Sequence, residues 1–178
     1  MNLGAAKPED DGAFFAWGET TTKSYFEWST YTLCNGSFST MTKYCTSVDY
    51  GTVDNKIVLE IADDVATQKL GGSWRIPTDA EWTELMNTDN CTWTWTTENS
   101  VNGYRFTSKK TGNSIFLPAA GRRIGSSLYE ANSLCYYWSS SLHMDYSYYA
   151  WSVYYSSGGV NRANGERFSG LSVRPVCD

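Results

Sequence analysis

A single histidine, His143, stands in this chain of 178 residues, inside Leu-His-Met-Asp-Tyr and just downstream of Ser139-Ser140-Ser141. Serine, histidine and aspartate are the side-chain types of a nucleophile, a general base and its orienting acid. A triad is defined by geometry, however, and near neighbours in one polar loop rarely meet in it, so the sequence places His143 and Asp145 on an exposed loop. The five cysteines, Cys34, Cys45, Cys91, Cys135 and Cys177, contain no Cys-X-X-Cys pair. With one imidazole in the chain, they do not make the closely paired ligands of a zinc site. Cys34 and Cys45 bracket a short Gly/Ser loop and are either a disulfide of an oxidising compartment or free buried thiols. The carboxylates are dispersed (Glu9, Asp10 and Asp11; Asp63 and Asp64; Glu81 and Glu84), without the alternate oxygen spacing around a glycine that a calcium loop requires. These residues imply no metal and no cofactor.

What remains is a chemistry of contact. The stretch YYWSSSLHMDYSYYAWSVYYSSGG, Tyr136 to Gly159, is built from rings, hydroxyls and small residues with almost no charge. Tyrosine offers broad contact area with two χ angles to freeze, and Ser, Asn and Gly adapt their hydrogen bonds, which is the vocabulary of antibody-like paratopes. A strand over YAWSVYYSS separates Val153 and Tyr155 from Ser152, Tyr154 and Ser156 on the other face. Asn161 and Asn164 follow in SGGVNRANGER, and the loop SSLHMDYSYY adds His143, Asp145, Tyr146 and Tyr148. The plain alternative is that Tyr and Ser simply populate exposed strands.

The length suits one domain, residues 1–178, since single cores serve roughly 100–200 residues. A net charge of -5 and a pI near 4.9 repel nucleic acid and anionic membrane surfaces. No apolar run approaches the ~20 residues of a membrane span, so no membrane insertion is expected, and MNLGAAKPEDDG has neither the basic nor the apolar region of an export signal. Aromatics at 16% beside 19% charged residues favour strands. Met1 to Tyr50 reads as long loops pinned by rings. Ile57, Ile61 and Val65 at a four-residue step, with Asp54 to cap and Gly71-Gly72 to stop, predict a helix over Asp54 to Leu70. Thr78 three residues before Glu81 is a capping box, and Trp82, Leu85 and Met86 form one stripe, which predicts a helix over Asp79 to Asn87. Past Asn90 the period becomes two: CTWTWTTEN, then NGYRFTSKKTGNSIFLPAAGRR as two strands turning at Thr111-Gly112-Asn113, then YYWSSS, YYAWSVYYSS and GERFSGLSVRPV. Helices followed by many short strands indicate an α+β domain. Trp17, Trp74, Trp82, Trp93, Trp95, Trp138 and Trp151 are the expected core. Arg75 and Arg174 are expected buried or half-buried, satisfied by carboxylates or backbone carbonyls, since an unpaired buried charge is costly.

GGSWRIPTDAEW resembles the signature of the formylglycine-generating-enzyme branch of the C-type-lectin-like fold. Taken with AWGETT, TKYC, VDNK, CTWTWTT, NGYRFTS, GNSIFLPAAGRR, YYWSSS and SVRPV in order, nearly the whole chain is similar to the Fibrobacter succinogenes major paralogous domain of gut bacteria and their phages. The resemblance implies a C-type-lectin-like fold, two helices packed on a twisted antiparallel sheet. It also implies a first strand ahead of residue 1, without which an open sheet edge offers a route to self-association. Some members resemble the variable proteins of diversity-generating retroelements, whose C-terminal patch is rewritten by adenine-directed mutagenesis. The family keeps an aliphatic or aromatic residue at the Val153 and Tyr155 positions, so the opposite face is the displayed one. The ligand-binding residues implied are Tyr129, Asn132, His143, Asp145, Tyr146, Tyr148, Ser152, Tyr154, Ser156, Asn161, Asn164, Phe168 and Leu171. The function implied is non-enzymatic recognition of a protein or glycan on another cell, by an extracellular, cell-surface or phage-borne domain. The alternatives are a peptide-modifying enzyme like the formylglycine generators, or a structural subunit of a surface assembly.

Overall fold

In the computed structural model, which describes residues 1–177, two helices and a set of mostly antiparallel strands form an α+β domain. In chain order they are β1 (Phe14–Phe15), α1 (Val65–Leu70), β2 (Trp74–Arg75), α2 (Asp79–Met86), β3 (Cys91–Glu98), β4 (Val101–Ser108), β5 (Ser114–Pro118), β6 (Arg122–Ile124), β7 (Ser127–Tyr129), β8 (Cys135–Leu142), β9 (Tyr149–Ser156), β10 (Gly159–Glu166), β11 (Leu171–Ser172) and β12 (Val176–Cys177). The central sheet runs β1-β11-β8-β9-β10, and β3-β4-β5 is a separate meander. Apart from the two residues of β1, residues 1–50 are largely loops held by rings, as their composition predicts; Phe26, Tyr31 and Tyr44 are buried there.

Period-two alternation explains how the central sheet is filled. Tyr137, Val153 and Tyr155 point to one side, against Trp82 of α2 and Tyr104, Phe106 and Leu117 of the meander. On the other side Trp138, Ala150 and Leu171 meet Trp17, Val65 and Ile76. Indoles tie the layers together, because a buried ring N–H needs an acceptor: Trp17 donates to the Ser139 carbonyl, Trp138 to Phe15 and Trp82 to Trp138. Gly165 of β10 passes directly over Trp138, where a Cβ would come within 2.8 Å of the indole.

The second helix forms as its capping box dictates, with Thr78 accepting from the Glu81 amide and the Glu81 side chain returning to the Thr78 amide. Arg75 joins this cap through two 2.8 Å hydrogen bonds to Glu81, which hold the Glu81 carboxyl at about 2. Arg174 is half-buried and donates to the Phe116 carbonyl.

The first helix is shorter than its periodicity predicts. The Asp54 carboxylate accepts the amides of Tyr44, Cys45 and Lys56, closing the preceding loop instead of capping a helix, and Asn55 turns into positive φ. Ile57 and Ile61 are exposed. Helix α1 starts only at Asp64, whose Oδ1 accepts from Ala66 and Thr67 while Oδ2 accepts from Ile76.

Trp74 is not in the core: it stands 40% exposed on the two-stranded ribbon β2-β12. Trp93, Trp95 and Trp151 are half-buried, and only Trp17, Trp82 and Trp138 are fully enclosed. The Gly/Asn-rich stretch after Ser156 is no loop, since β10 pairs with β9 over its full length from Gly159↔Ser156 to Glu166↔Tyr149. Cys34, Cys45, Cys91 and Cys135 are buried free thiols, so the Cys34–Cys45 pairing is absent. Burial pushes the Cys135 thiol up to about 12, and its hydrogen goes to the Leu117 carbonyl.

Candidate functional site

Two features of the C-terminal third lie side by side. The first is an array of rings at the surface, built where the β8–β9 connection folds back on the N-terminal loops. Tyr146 packs on Tyr148 and Tyr149, Tyr148 lies edge-on to Phe38 and Tyr50, and Tyr50 also meets Tyr146. Ring centroids are 4.4–6.4 Å apart along this array, within the range of favourable aromatic pairs. Phe38 and Tyr146 are about half exposed, at 49% and 46%, and Met144, two residues before Tyr146 in the same loop, is exposed too. His143 stacks on Trp151 at 4.4 Å, and the Arg162 guanidinium lies 3.2 Å from the Trp151 ring centre while pairing with Asp79 of α2.

The second feature is a polar groove of about 290 Å³, where β8, β9 and β10 run past the β6-β7 hairpin. Arg122, Tyr136, Tyr149, Ser152, Asn164, Glu166 and Ser169 line it. Tyr149 belongs to both features, lying 4.4 Å from Tyr148, so array and groove are continuous. The Tyr136 ring carries the Arg122 guanidinium at 5.0 Å, and its hydroxyl donates to Glu130 at 2.9 Å. Burial, followed by that hydrogen bond to a carboxylate, raises the Tyr136 phenol above its ordinary value. Arg122 Nε lies 2.9 Å from Glu130 Oε2, yet its N–H is not aligned with that oxygen and makes no hydrogen bond, so the pair is a charge contact. Burial and then the Glu27 charge raise the Glu166 carboxyl, against the pull of Arg122.

Set against this geometry, the predicted site residues divide. Asp145, Tyr146 and Tyr148 belong to the ring-bearing loop, Asn164 lines the groove, and Tyr154 packs on Tyr136 at 6.0 Å with Asn161 beside it in register. Tyr129 pairs with Arg122 across the hairpin and is exposed. Ser156 is half-buried at the β9–β10 turn, where it accepts the Gly158 amide. Asn132 is exposed in positive φ and its carbonyl accepts from Asn102.

Four expectations need correction. Ser152 is buried at 2%, because the face it shares with Trp138 is covered by a second core layer and only a narrow groove reaches it. Phe168 packs under Trp28 at 4.8 Å in the core of the N-terminal loops. Leu171 is sealed against Trp17 and Trp138. His143 is buried rather than exposed, sandwiched by Trp151 and Tyr146.

No protein-family model matches the chain, and no curated protein or solved structure matches it. The residues that sequence reasoning missed are Arg122, Tyr136, Tyr149, Glu166, Ser169 and, from the N-terminal half, Phe38 and Tyr50. Tyr149 stands next to the expected Tyr148, whereas the others come from five separate stretches that only the tertiary fold joins.

Proposed function

We propose that this chain is a recognition domain with a C-type-lectin-like fold, presenting its C-terminal third to a protein or glycan on another cell. In this reading it is related to the variable proteins of diversity-generating retroelements and acts outside the cell, on a cell surface or on a phage particle. The exposed ring array carries the proposal. A soluble domain gains nothing in stability from leaving Phe38, Met144 and Tyr146 in water, and contiguous exposed apolar area marks a surface that is covered in use. The array is Tyr-rich, hence amphipathic and stiff, so little entropy is lost when a partner covers it. Its rings are braced from below by His143, Trp151 and Arg162.

The test is direct. Fluorescently labelled full chain is applied to printed arrays of bacterial surface glycans and surface proteins. The expected result is a saturable hit whose affinity drops at least tenfold in Phe38→Ala and Tyr146→Ala, a loss typical of an aromatic anchor. Both variants should unfold within about 2 °C of the natural chain, as surface truncations do. No saturable binding on either array, or a hit that both variants bind as well as the natural chain, overturns the reading.

A further inference from the structure

The groove beside the ring array contains polar groups that the fold does not use. Ser152 and Ser169 are 2% and 4% exposed, and neither hydroxyl has a hydrogen-bond partner among the described residues. Neither belongs to the fully sealed polar atoms, so both reach the open space of the groove. The side chains of Asn164 and Glu166 likewise have no hydrogen-bond partner there. Buried polar groups are normally paired, and unpaired ones cost stability, so two buried hydroxyls left unpaired beside the exposed Asn164 and the half-buried Glu166, around one small space, need an explanation.

The charges narrow the chemistry. Glu166 lies in the groove and Glu130 at its side, with Glu27 close enough to be felt, which disfavours an anion. Arg122 lies in the same wall and disfavours an ammonium. The space is at the small end of the ~300–1,000 Å³ of ligand clefts, too small for a helix or a folded partner. Hydroxyls that donate and accept, an amide that does both, a carboxylate that accepts and a guanidinium that donates suit a neutral ligand carrying donors and acceptors on adjacent atoms.

We propose that this groove holds one sugar ring of a glycan, its neighbouring hydroxyls exchanging hydrogen bonds with Ser152, Ser169, Asn164 and Glu166. The inference rests on the recognition reading above and names the ligand class for the groove end of that surface. Tyr149, shared by groove and array, puts the next part of the glycan over the exposed rings.

The experiment uses the full chain, isotope-labelled, titrated with methyl α-mannoside, methyl β-galactoside and methyl N-acetyl-β-glucosaminide. At least one is expected to give saturable shifts of the Ser152, Asn164, Glu166 and Ser169 amides at millimolar concentration. Glu166→Gln and Ser152→Ala, both small changes that preserve shape, are each expected to weaken binding at least tenfold, whereas Ile61→Ala, at an exposed position outside groove and array, leaves monosaccharide binding within twofold. Absence of saturable shifts at these amides with all three sugars overturns the proposal, as does binding indifferent to both groove variants. If a protein or glycan still binds the array through Phe38 and Tyr146 while the sugars do not enter, the groove proposal fails alone and the recognition reading stands.

Discussion

Arg167 and Arg122 both lie against tyrosine rings, and the fold treats them in opposite ways. Arg167 is fully buried, with its guanidinium 4.9 Å from Trp17, 5.4 Å from Tyr31 and 5.9 Å from Tyr44. It donates to the Tyr31 hydroxyl at 2.9 Å and to the carbonyls of Tyr44, Ser147 and Lys43 at 3.1, 2.8 and 2.9 Å, without a carboxylate partner. Arg122 has one misaligned carboxylate, one ring and an open groove. A charge that serves structure is saturated by backbone; a charge that serves contact keeps donors to spare. The first sixty residues have almost no helix or sheet of their own, and Arg167 supplies what regular elements otherwise would, fixing the turns at Lys43 and Tyr44 to the end of β10.

The largest effect that would break this contrast is on stability. Arg167→Met keeps much of the volume but orphans three carbonyls, those of Tyr44 and Ser147 in buried hydrogen bonds and that of Lys43 in a part-buried one, and is expected to cost about 4 kcal/mol. In a chain of this size that lowers Tm by roughly 10 °C, read by calorimetry. A loss below about 1 kcal/mol would mean that the rings alone hold the loops.

A smaller effect is expected at Glu81. Its folded carboxyl lies at about 2, below the ordinary 4.5, chiefly through the Arg75 hydrogen bonds. The stability it contributes is therefore complete above pH 4.5 and lost as pH falls towards 2. Both side chains are about a third exposed, so solvent screening discounts the ion pair, and cap loss sets the scale. Glu81→Gln should cost about 1 kcal/mol at pH 6 and much less at pH 2. Urea midpoints at the two pH values check this, and an equal loss at both would show that charge plays no part.

How far the sequence could be read depends on whether the deciding interactions were local. The capping box at Thr78 and Glu81 and the alternation of Trp93 and Trp95 with threonines are complete within eight residues, and both elements formed where expected. The Ile57-Ile61-Val65 step was equally regular, but Asp54 reaches back ten residues to the Tyr44 amide, and no periodicity reports that. The displayed face failed in the same way. Alternation correctly separated Ser152 from Val153, but whether the Ser152 face met water or a second layer depended on Trp17, Val65 and Leu171, far away in the chain. Thus the ring-rich loop was legible in composition, and the groove was not, because Arg122, Ser152 and Ser169 meet only after β6, β9 and the segment following β10 are assembled.

The smallest effect sharpens the contrast most. Arg122→Gln removes a charge whose hydrogen bond to Glu130 is already unmade and whose side chain is 37% exposed, leaving Tyr136 still hydrogen-bonded to Glu130. Solvent replaces what is lost, so stability should change by less than about 0.5 kcal/mol, a Tm shift of no more than ~2 °C. The cation over the Tyr136 ring contributes at most ~1 kcal/mol at such an exposed site, and the glutamine amide still packs there. A measured loss above about 2 kcal/mol would place Arg122 with Arg167 as a second structural pin, and the groove would then be a by-product of packing rather than a space kept open for contact.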